Sequence, residues 1–135
     1  MTPEAVIAAI RACGSDPRDL RDAVHEACHA LDFDVPEGEW DRETIHSAVL
    51  EAERVDIVIA EMKARAVERV VCERLGQPLE DPDHWLMIAA MEMMKGVQIS
   101  VSLDAWKAGI EGRLKSRETL AMADQVIGLA GSSCP

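Results

Sequence analysis

Tyrosine is absent from this 135-residue chain, and its aromatic residues are limited to three tryptophans and one phenylalanine. Aromatic side chains usually supply much of the buried area of a protein core. Hydrophobic residues still make up 48% of the sequence, so the core must be built mainly from aliphatic, alanine and methionine side chains. Such residues favour closely packed helices. We therefore predict one helical domain over residues 1–130 and a flexible tail at 131–135.

Positive charge is also scarce, since 14 lysines and arginines stand against 25 aspartates and glutamates. The resulting net charge of −11 repels a phosphate backbone, so we expect no direct binding of nucleic acid. An acidic decoy that imitates DNA is a further interpretation of this charge, although solubility explains it more simply.

Signals for export, for disulfide formation and for membrane insertion are missing. The four cysteines include no CxxC pair, which predicts reduced thiols and a cytoplasmic location. The N-terminal residues have neither a basic segment nor a long apolar segment, so no signal peptide is predicted. The longest apolar run, Trp85–Met91, is far shorter than the roughly 20 residues that cross a bilayer, and we expect no membrane partner.

Capping residues and helix breakers divide the chain into successive helices. The predicted helices lie at about 3–13, 17–31, 42–53, 55–75, 82–95, 103–114 and 117–129. Only residues 97–101 alternate apolar and polar side chains, and a single strand would have no partner. The predicted fold is therefore all-α, a compact bundle of six or seven helices with at most one short strand near 97–101.

Several apolar features predict how these helices pack. The segment Trp85–Met94 is apolar nearly all round, which predicts a central helix, with a methionine-rich partner groove as the alternative. A stripe at helical spacing also predicts packing; it consists of Leu103, Trp106, Ile110 and Leu114. We expect Trp40 to pin the loop that contains it, with the wall of a pocket as the alternative.

The most informative segment is His25-Glu26-Ala27-Cys28-His29, which reads HExxH inside a predicted helix. Residues i and i+4 lie on one face of a helix, so both imidazoles can bind a single metal ion. Glu26 lies about a hundred degrees round the helix and can take a proton from water at that ion. Zinc hydrolases use this arrangement, which predicts His25 and His29 as zinc ligands and Glu26 as general base. The alternative is that both histidines are ordinary surface or core residues.

Two further residues share the face of the histidines. We predict that Cys28 is a small core residue, with a metal ligand or a redox sensor as alternatives. We predict that Asp32 is solvated, with orientation of a ligand imidazole as the alternative.

A catalytic zinc site usually has a third protein ligand, which must come from elsewhere in the chain. The candidates on neighbouring helices are His46, Glu51, Glu53, Asp56, Glu61 and Glu68. Glu61 and Glu68 share a face that is otherwise apolar or small, where a buried acid needs a partner or a metal ion. Ala60 and Ala64 flank Glu61 and permit close approach of another helix. We favour Glu61 as third ligand and Glu68 as a supporting acid; otherwise both lie at the edge of the helix interface.

This spacing resembles the gluzincin pattern. His25–Leu31 is followed some thirty residues later by Ala60–Ala64, as HExxH on one helix is followed by a glutamate on a second. The pattern is most similar to small intracellular zincins of the ImmA/IrrE type and to zincin-like domains of antirestriction proteins of phages and mobile elements. The resemblance covers about residues 20–76.

The resemblance implies a set of roles. The zinc ligands would be His25, His29 and Glu61, and the general base would be Glu26. Two features of those families are not evident here, namely a small sheet whose edge aligns the substrate and a group that stabilises the oxyanion. His46 and His84 are the candidates for the second.

We therefore expect a cytoplasmic zinc-dependent hydrolase, by resemblance a peptidase that acts on a peptide or protein. A helical interaction protein, in which zinc is structural or absent, is the alternative from a different class. An acidic decoy of phage type that binds a DNA-handling protein is the third hypothesis. A homo-oligomer or a protein partner is compatible with each.

Overall fold

The computed structural model describes residues 17–74, 81–96 and 101–130, and every regular element within these ranges is a helix. The six α-helices are α1 (Pro17–Asp32), α2 (Arg42–Leu50), α3 (Arg54–Arg74), α4 (Pro82–Gly96), α5 (Leu103–Arg113) and α6 (Arg117–Ala130), with a short 3-10 helix at Glu37–Glu39. The predicted all-α fold is confirmed for this part of the chain. The helix predicted at 3–13, most of the possible strand and the tail at 131–135 lie outside the described residues.

Capping side chains begin two of the helices where the sequence predicts. The carboxylate of Asp41 accepts a hydrogen bond of 2.9 Å from the backbone N–H of Thr44, and Ser102 caps α5 in the same way. The helix α2 ends at Leu50, three residues before the predicted end. There the chain tightens, because the backbone N–H of Ala52 donates to the carbonyl of Val49, and α3 starts afresh at Arg54.

The long helix α3 is central to the fold, since it packs against α1, α5 and α6. Its interface with α1 is lined by small side chains, and Ala23 and Ala27 of α1 and Ala64 of α3 are fully buried. Small residues let two helix axes approach closely. This close approach allows histidine side chains from α1 and glutamate side chains from α3 to meet inside the interface.

A second cluster of buried residues joins α4 to α5. The stripe on α5 packs into it as predicted, with Trp106 and Ile110 buried. The prediction that the methionine-rich helix is central is wrong for one of its faces, because Met87, Met91 and Met94 are exposed. Among the described residues, α4 packs mainly on α5, which covers one face of α4 and leaves the other uncovered.

The loop between α1 and α2 is anchored by Trp40. Its indole N–H donates a hydrogen bond of 2.8 Å to the carbonyl of Val35, and the ring is 2% exposed. The prediction that Trp40 pins the loop is confirmed. None of the described helices combines the length and the apolar character that a bilayer span requires.

Candidate metal centre

Three potential metal ligands converge between α1 and α3. The Nε2 atom of His29 lies 2.7 Å from Oε1 of Glu61 and 2.9 Å from Nε2 of His25. The third side of this triangle, from Nε2 of His25 to Oε1 of Glu61, is 3.5 Å. The three side chains form a group that could hold a metal ion, with all ligand atoms within 4.8 Å of one another.

The donor atoms fit such an ion in chemistry and in spacing. Zinc bonds of about 2.0–2.2 Å in tetrahedral geometry separate two ligand atoms by about 3.3–3.6 Å. The distance of 3.5 Å between His25 and Glu61 matches this separation, and the two distances from His29 are shorter, at 2.7 and 2.9 Å. Hydrogen bonds alone satisfy the triangle poorly, because a ring nitrogen carries at most one hydrogen, and Nε2 of His29 faces both His25 and Glu61. A cation would accept a lone pair from all three atoms at once.

Glu68 fixes the orientation of one imidazole. The Nδ1–H of His25 donates a hydrogen bond of 2.8 Å to Oε1 of Glu68, a carboxylate that is 3% exposed. With a proton held on Nδ1, Nε2 is the nitrogen that would lose its proton and give a lone pair to a metal ion beside Glu61 and His29. Arg65 lies 3.7 Å from the same oxygen and bonds at 2.7 Å to Glu92, which ties α3 to α4 behind the centre.

His29 lacks an equivalent support. Its Nδ1 atom is buried without a hydrogen-bond partner among the described residues. The ring is instead confined by packing, since it is 5% exposed and lies edge-on to His25 at a centroid distance of 4.5 Å. Both imidazoles therefore direct Nε2 toward the centre, but a hydrogen bond to Glu68 orients His25, whereas packing alone confines His29.

The ionisation of the centre follows from its contacts. Burial alone lowers the pKa of His25, but hydrogen bonds and charges from Glu61 and Glu68 outweigh it and raise the pKa from 6.5 to about 10. Burial opposes ionisation of Glu61, yet both histidines hold its pKa well below the usual range. Without an ion, the centre is an imidazolium–carboxylate pair at neutral pH, and a metal ion must displace the proton of His25.

A small pocket of about 160 Å³ opens onto the three ligands. The residues that line it are His25, Glu26, His29, Arg42, Ile45, His46, Val49 and Glu61. Glu26 therefore faces the same space as the ligands without belonging to the group of three. Its Oε1 atom lies 3.6 Å from Nε of Arg42.

The two histidines considered for the oxyanion fall in different places. His46 lines the pocket from α2, whereas His84 lies exposed on α4 and is not among the lining residues. Arg42 also lines the pocket, although it belongs to no recognisable sequence pattern. Its place just after the capping residue Asp41 is the one available signal, since it fixes where α2 begins.

The other candidate ligands lie away from the centre. Glu51, Glu53 and Asp56 are exposed around the start of α3, and none belongs to the group that could hold a metal ion. The possibility that α3 leaves Glu61 and Glu68 at the edge of its interface is wrong, because both side chains contact histidines of α1.

Cys28 and Asp32 have structural roles. Cys28 is fully buried, and burial, followed by the charges of Glu68 and Asp32, raises the pKa of its thiol well above normal; its prediction as a core residue is confirmed. The prediction that Asp32 is solvated is wrong. Lys63 reaches it from α3 and donates a hydrogen bond of 2.5 Å to its carboxylate, because the close approach of α1 and α3 brings the two together.

Comparison with protein-family models, with curated proteins and with solved structures yields no match to this chain. Function must therefore be inferred from the geometry of the centre. The likeness to gluzincins is one of motif and spacing.

Proposed function

We propose that this protein is a zinc-dependent hydrolase that cleaves amide bonds in peptides or proteins. The observation that carries the proposal is the convergence of His25, His29 and Glu61 in one pocket that also contains Glu26. Two ligands from HExxH and a glutamate from a second helix form the donor set of one class of zinc peptidase. The same three residues are those that the gluzincin resemblance implies.

Zinc is the ion that these side chains suit best. Two imidazoles and one carboxylate match the preferences of a borderline cation, while calcium and magnesium prefer ligands that are all oxygen. His25, His29 and Glu61 would hold the ion, and Glu68 would keep the first imidazole in the correct tautomer. When bound, zinc supplies Lewis acidity, which polarises a carbonyl group and acidifies water in the pocket.

Glu26 is the group that can move the proton. It lines the pocket on the same helix as both histidines, and Arg42 lies 3.6 Å from its carboxylate. We assign it the removal of a proton from the attacking water and the delivery of that proton to the leaving amine. We assign to His46, which lines the same pocket from α2, the donation of a hydrogen bond to the carbonyl oxygen, on which negative charge develops.

The substitution Glu26→Gln tests this assignment, because it retains the shape of the side chain and removes the basic carboxylate. We expect zinc content and thermal stability close to those of the parent, with cleavage of a fluorogenic peptide library reduced by a factor of roughly a hundred to ten thousand. The matched control is Glu73→Gln, which removes the same charge from an exposed position on α3. The control should cleave like the parent.

Three results would contradict the proposal. Unchanged cleavage by Glu26→Gln would remove Glu26 from the mechanism. A parent that contains no zinc after purification and binds none would remove the metal. A zinc-loaded parent that cleaves no peptide, with four protein ligands closing its coordination, would establish a structural ion in an interaction protein instead.

A further inference from the structure

We propose that Arg42 binds a carboxylate of the substrate beside the scissile amide, so that the pocket selects peptides with a negative charge at that position. The inference rests on the proposed hydrolase function and adds the substrate class. Among the described residues that line the pocket, Arg42 is the one that carries a permanent positive charge.

Arg42 lies where two cavities meet. It is the first residue of α2, and its backbone is fixed because Asp41 accepts hydrogen bonds of 2.9 and 2.8 Å from the N–H and hydroxyl of Thr44. The side chain of Arg42 lines the metal pocket and also an open groove of about 580 Å³, together with His46. A substrate that extends from the ligands into the groove must pass the guanidinium.

The donors of this guanidinium are available to a ligand. Among the described residues, Arg42 has one ionic partner, Glu26, at 3.6 Å, beyond the usual range of a hydrogen bond. Arg65 and Arg74, by contrast, approach carboxylates to 2.7 and 2.6 Å. The side chain of Arg42 is 61% exposed, and its guanidinium carries five N–H donors, so a ligand can reach it from solvent.

The charge balance of the pocket favours an anion at this point. A divalent ion would offset the carboxylates of Glu61 and Glu26, which leaves the charge of Arg42 uncompensated among the lining residues. The outer groove is less favourable, because Asp41 and Glu43 line it and the protein carries a net charge of −11. A carboxylate is therefore attracted to the inner end of the groove, beside Arg42.

The size of the pocket places that carboxylate close to the reacting bond. Its volume is only about 160 Å³, and Ile45 and Val49 form its apolar part. Such a space admits the scissile group and a small side chain before the chain reaches the mouth. The carboxylate can be the free C-terminus of the substrate or an Asp or Glu side chain, since a guanidinium binds either in a bidentate manner.

Paired peptides distinguish these sources and test the inference. One pair differs only in a free or an amidated C-terminus, and a second pair has Glu or Gln next to the scissile bond. The parent should cleave at least one acidic member with a kcat/KM about tenfold to a hundredfold above its neutral partner. In Arg42→Gln this ratio should fall toward one.

Arg117→Gln is the matched control, because Arg117 is an exposed arginine at the first position of another helix, α6. It removes the same charge and should retain the ratio of the parent. Zinc content should be equal in all three proteins. Calorimetry with an N-acetyl amino acid and its amide, and with the amides of N-acetylglutamate and N-acetylglutamine, gives a readout that needs no turnover. Arg42→Gln should weaken binding of the acidic member alone.

The outcomes separate the inference from the function on which it rests. Equal cleavage of both members of each pair by the parent, or an unchanged ratio in Arg42→Gln, would overturn the role of Arg42 while leaving the hydrolase intact. A zinc-loaded parent that cleaves nothing would overturn the hydrolase, and the binding measurement would then decide on Arg42 alone. Equal binding of the acidic and the neutral member of both ligand pairs by the parent overturns the inference in either case.

Discussion

Replacing Glu68 with glutamine should weaken zinc binding by about tenfold to a hundredfold while the fold persists. The carboxylate of Glu68 accepts the Nδ1–H of His25 at 2.8 Å and is 3% exposed. Its charge makes the opposite nitrogen of the ring more basic and holds the ring in place. Glutamine retains the volume and one acceptor oxygen, so the substitution changes mainly the charge.

The expected magnitude follows from the type of contact. A hydrogen bond to a carboxylate is about twice as strong as one to a neutral acceptor, and the burial of Glu68 limits screening by solvent. The predicted loss in affinity corresponds to about 1.4 to 2.8 kcal/mol. The amide would also place a neutral group 3.7 Å from Arg65, which keeps its partner Glu92.

Competition between the protein and a chromogenic chelator measures this loss, and thermal unfolding of the ion-free protein reports whether the fold is intact. Glu73→Gln is the control, since Glu73 is exposed on the same helix and pairs with Arg69, away from the centre. The control should bind zinc with the affinity of the parent. A folded Glu68→Gln protein with parental affinity would refute the claim that this contact supports a metal ligand.

Three further measurements bear on the same centre. The double substitution His25→Ala and His29→Ala should abolish stoichiometric zinc, and full metal content in that variant would place the site elsewhere. Glu61→Ala should weaken zinc far more than Glu51→Ala or Glu53→Ala, and equal effects in a titration would reject Glu61 as third ligand. Because the pKa of His25 is raised from 6.5 to about 10, its ion pair stabilises the ion-free fold fully below about pH 6.5, and this contribution is lost as the pH rises toward 10. Zinc affinity, corrected for the chelator, should rise over the same range because the bound proton must leave, and a flat profile would contradict the described ionisation.

The helices and the pair of histidines were predictable because their signals are local. Asp41 and Ser102 are capping residues within a few positions of the bonds they accept, and the spacing of His25 and His29 is a property of any helix that contains them. The early end of α2 was not predicted, because no local signal marks it. Glu51 and Ala52 close a tight turn that contains neither glycine nor proline.

The third ligand could not be predicted from one helix alone. Whether Glu61 or another acid meets the histidines depends on the rotation and axial position of α3 relative to α1. Ala60 and Ala64 indicate which face of α3 can approach a neighbour closely, and this narrowed the choice to Glu61 and Glu68. Both acids contact histidines, Glu68 at His25 and Glu61 at His29. They lie on the same face of α3 because a separation of seven residues corresponds to about two helical turns.

The errors arose where charged or apolar side chains find partners across the fold. Asp32 was expected in solvent because it ends a helix, yet Lys63 of α3 reaches it. Arg42 could not be linked to the centre, since that requires α2 to fold back beside α1. Met91 was expected in the core because the sequence of α4 is apolar nearly all round, and composition does not reveal which side of such a helix a neighbour covers.

The histidine ligands and Arg42 lie on helices that are buried to different degrees. His25 and His29 extend from a helix whose other face, including Val24 and Ala27, is fully buried, so the core holds the backbone that carries the two imidazoles. A metal centre needs ligands that are held in this way. Arg42 lies on the short helix α2, at its more exposed start, and its side chain is free to adjust to a ligand. Substitutions on the outer face of α2 should therefore alter which peptide is bound, whereas substitutions in the α1–α3 interface should alter whether the metal ion is bound at all.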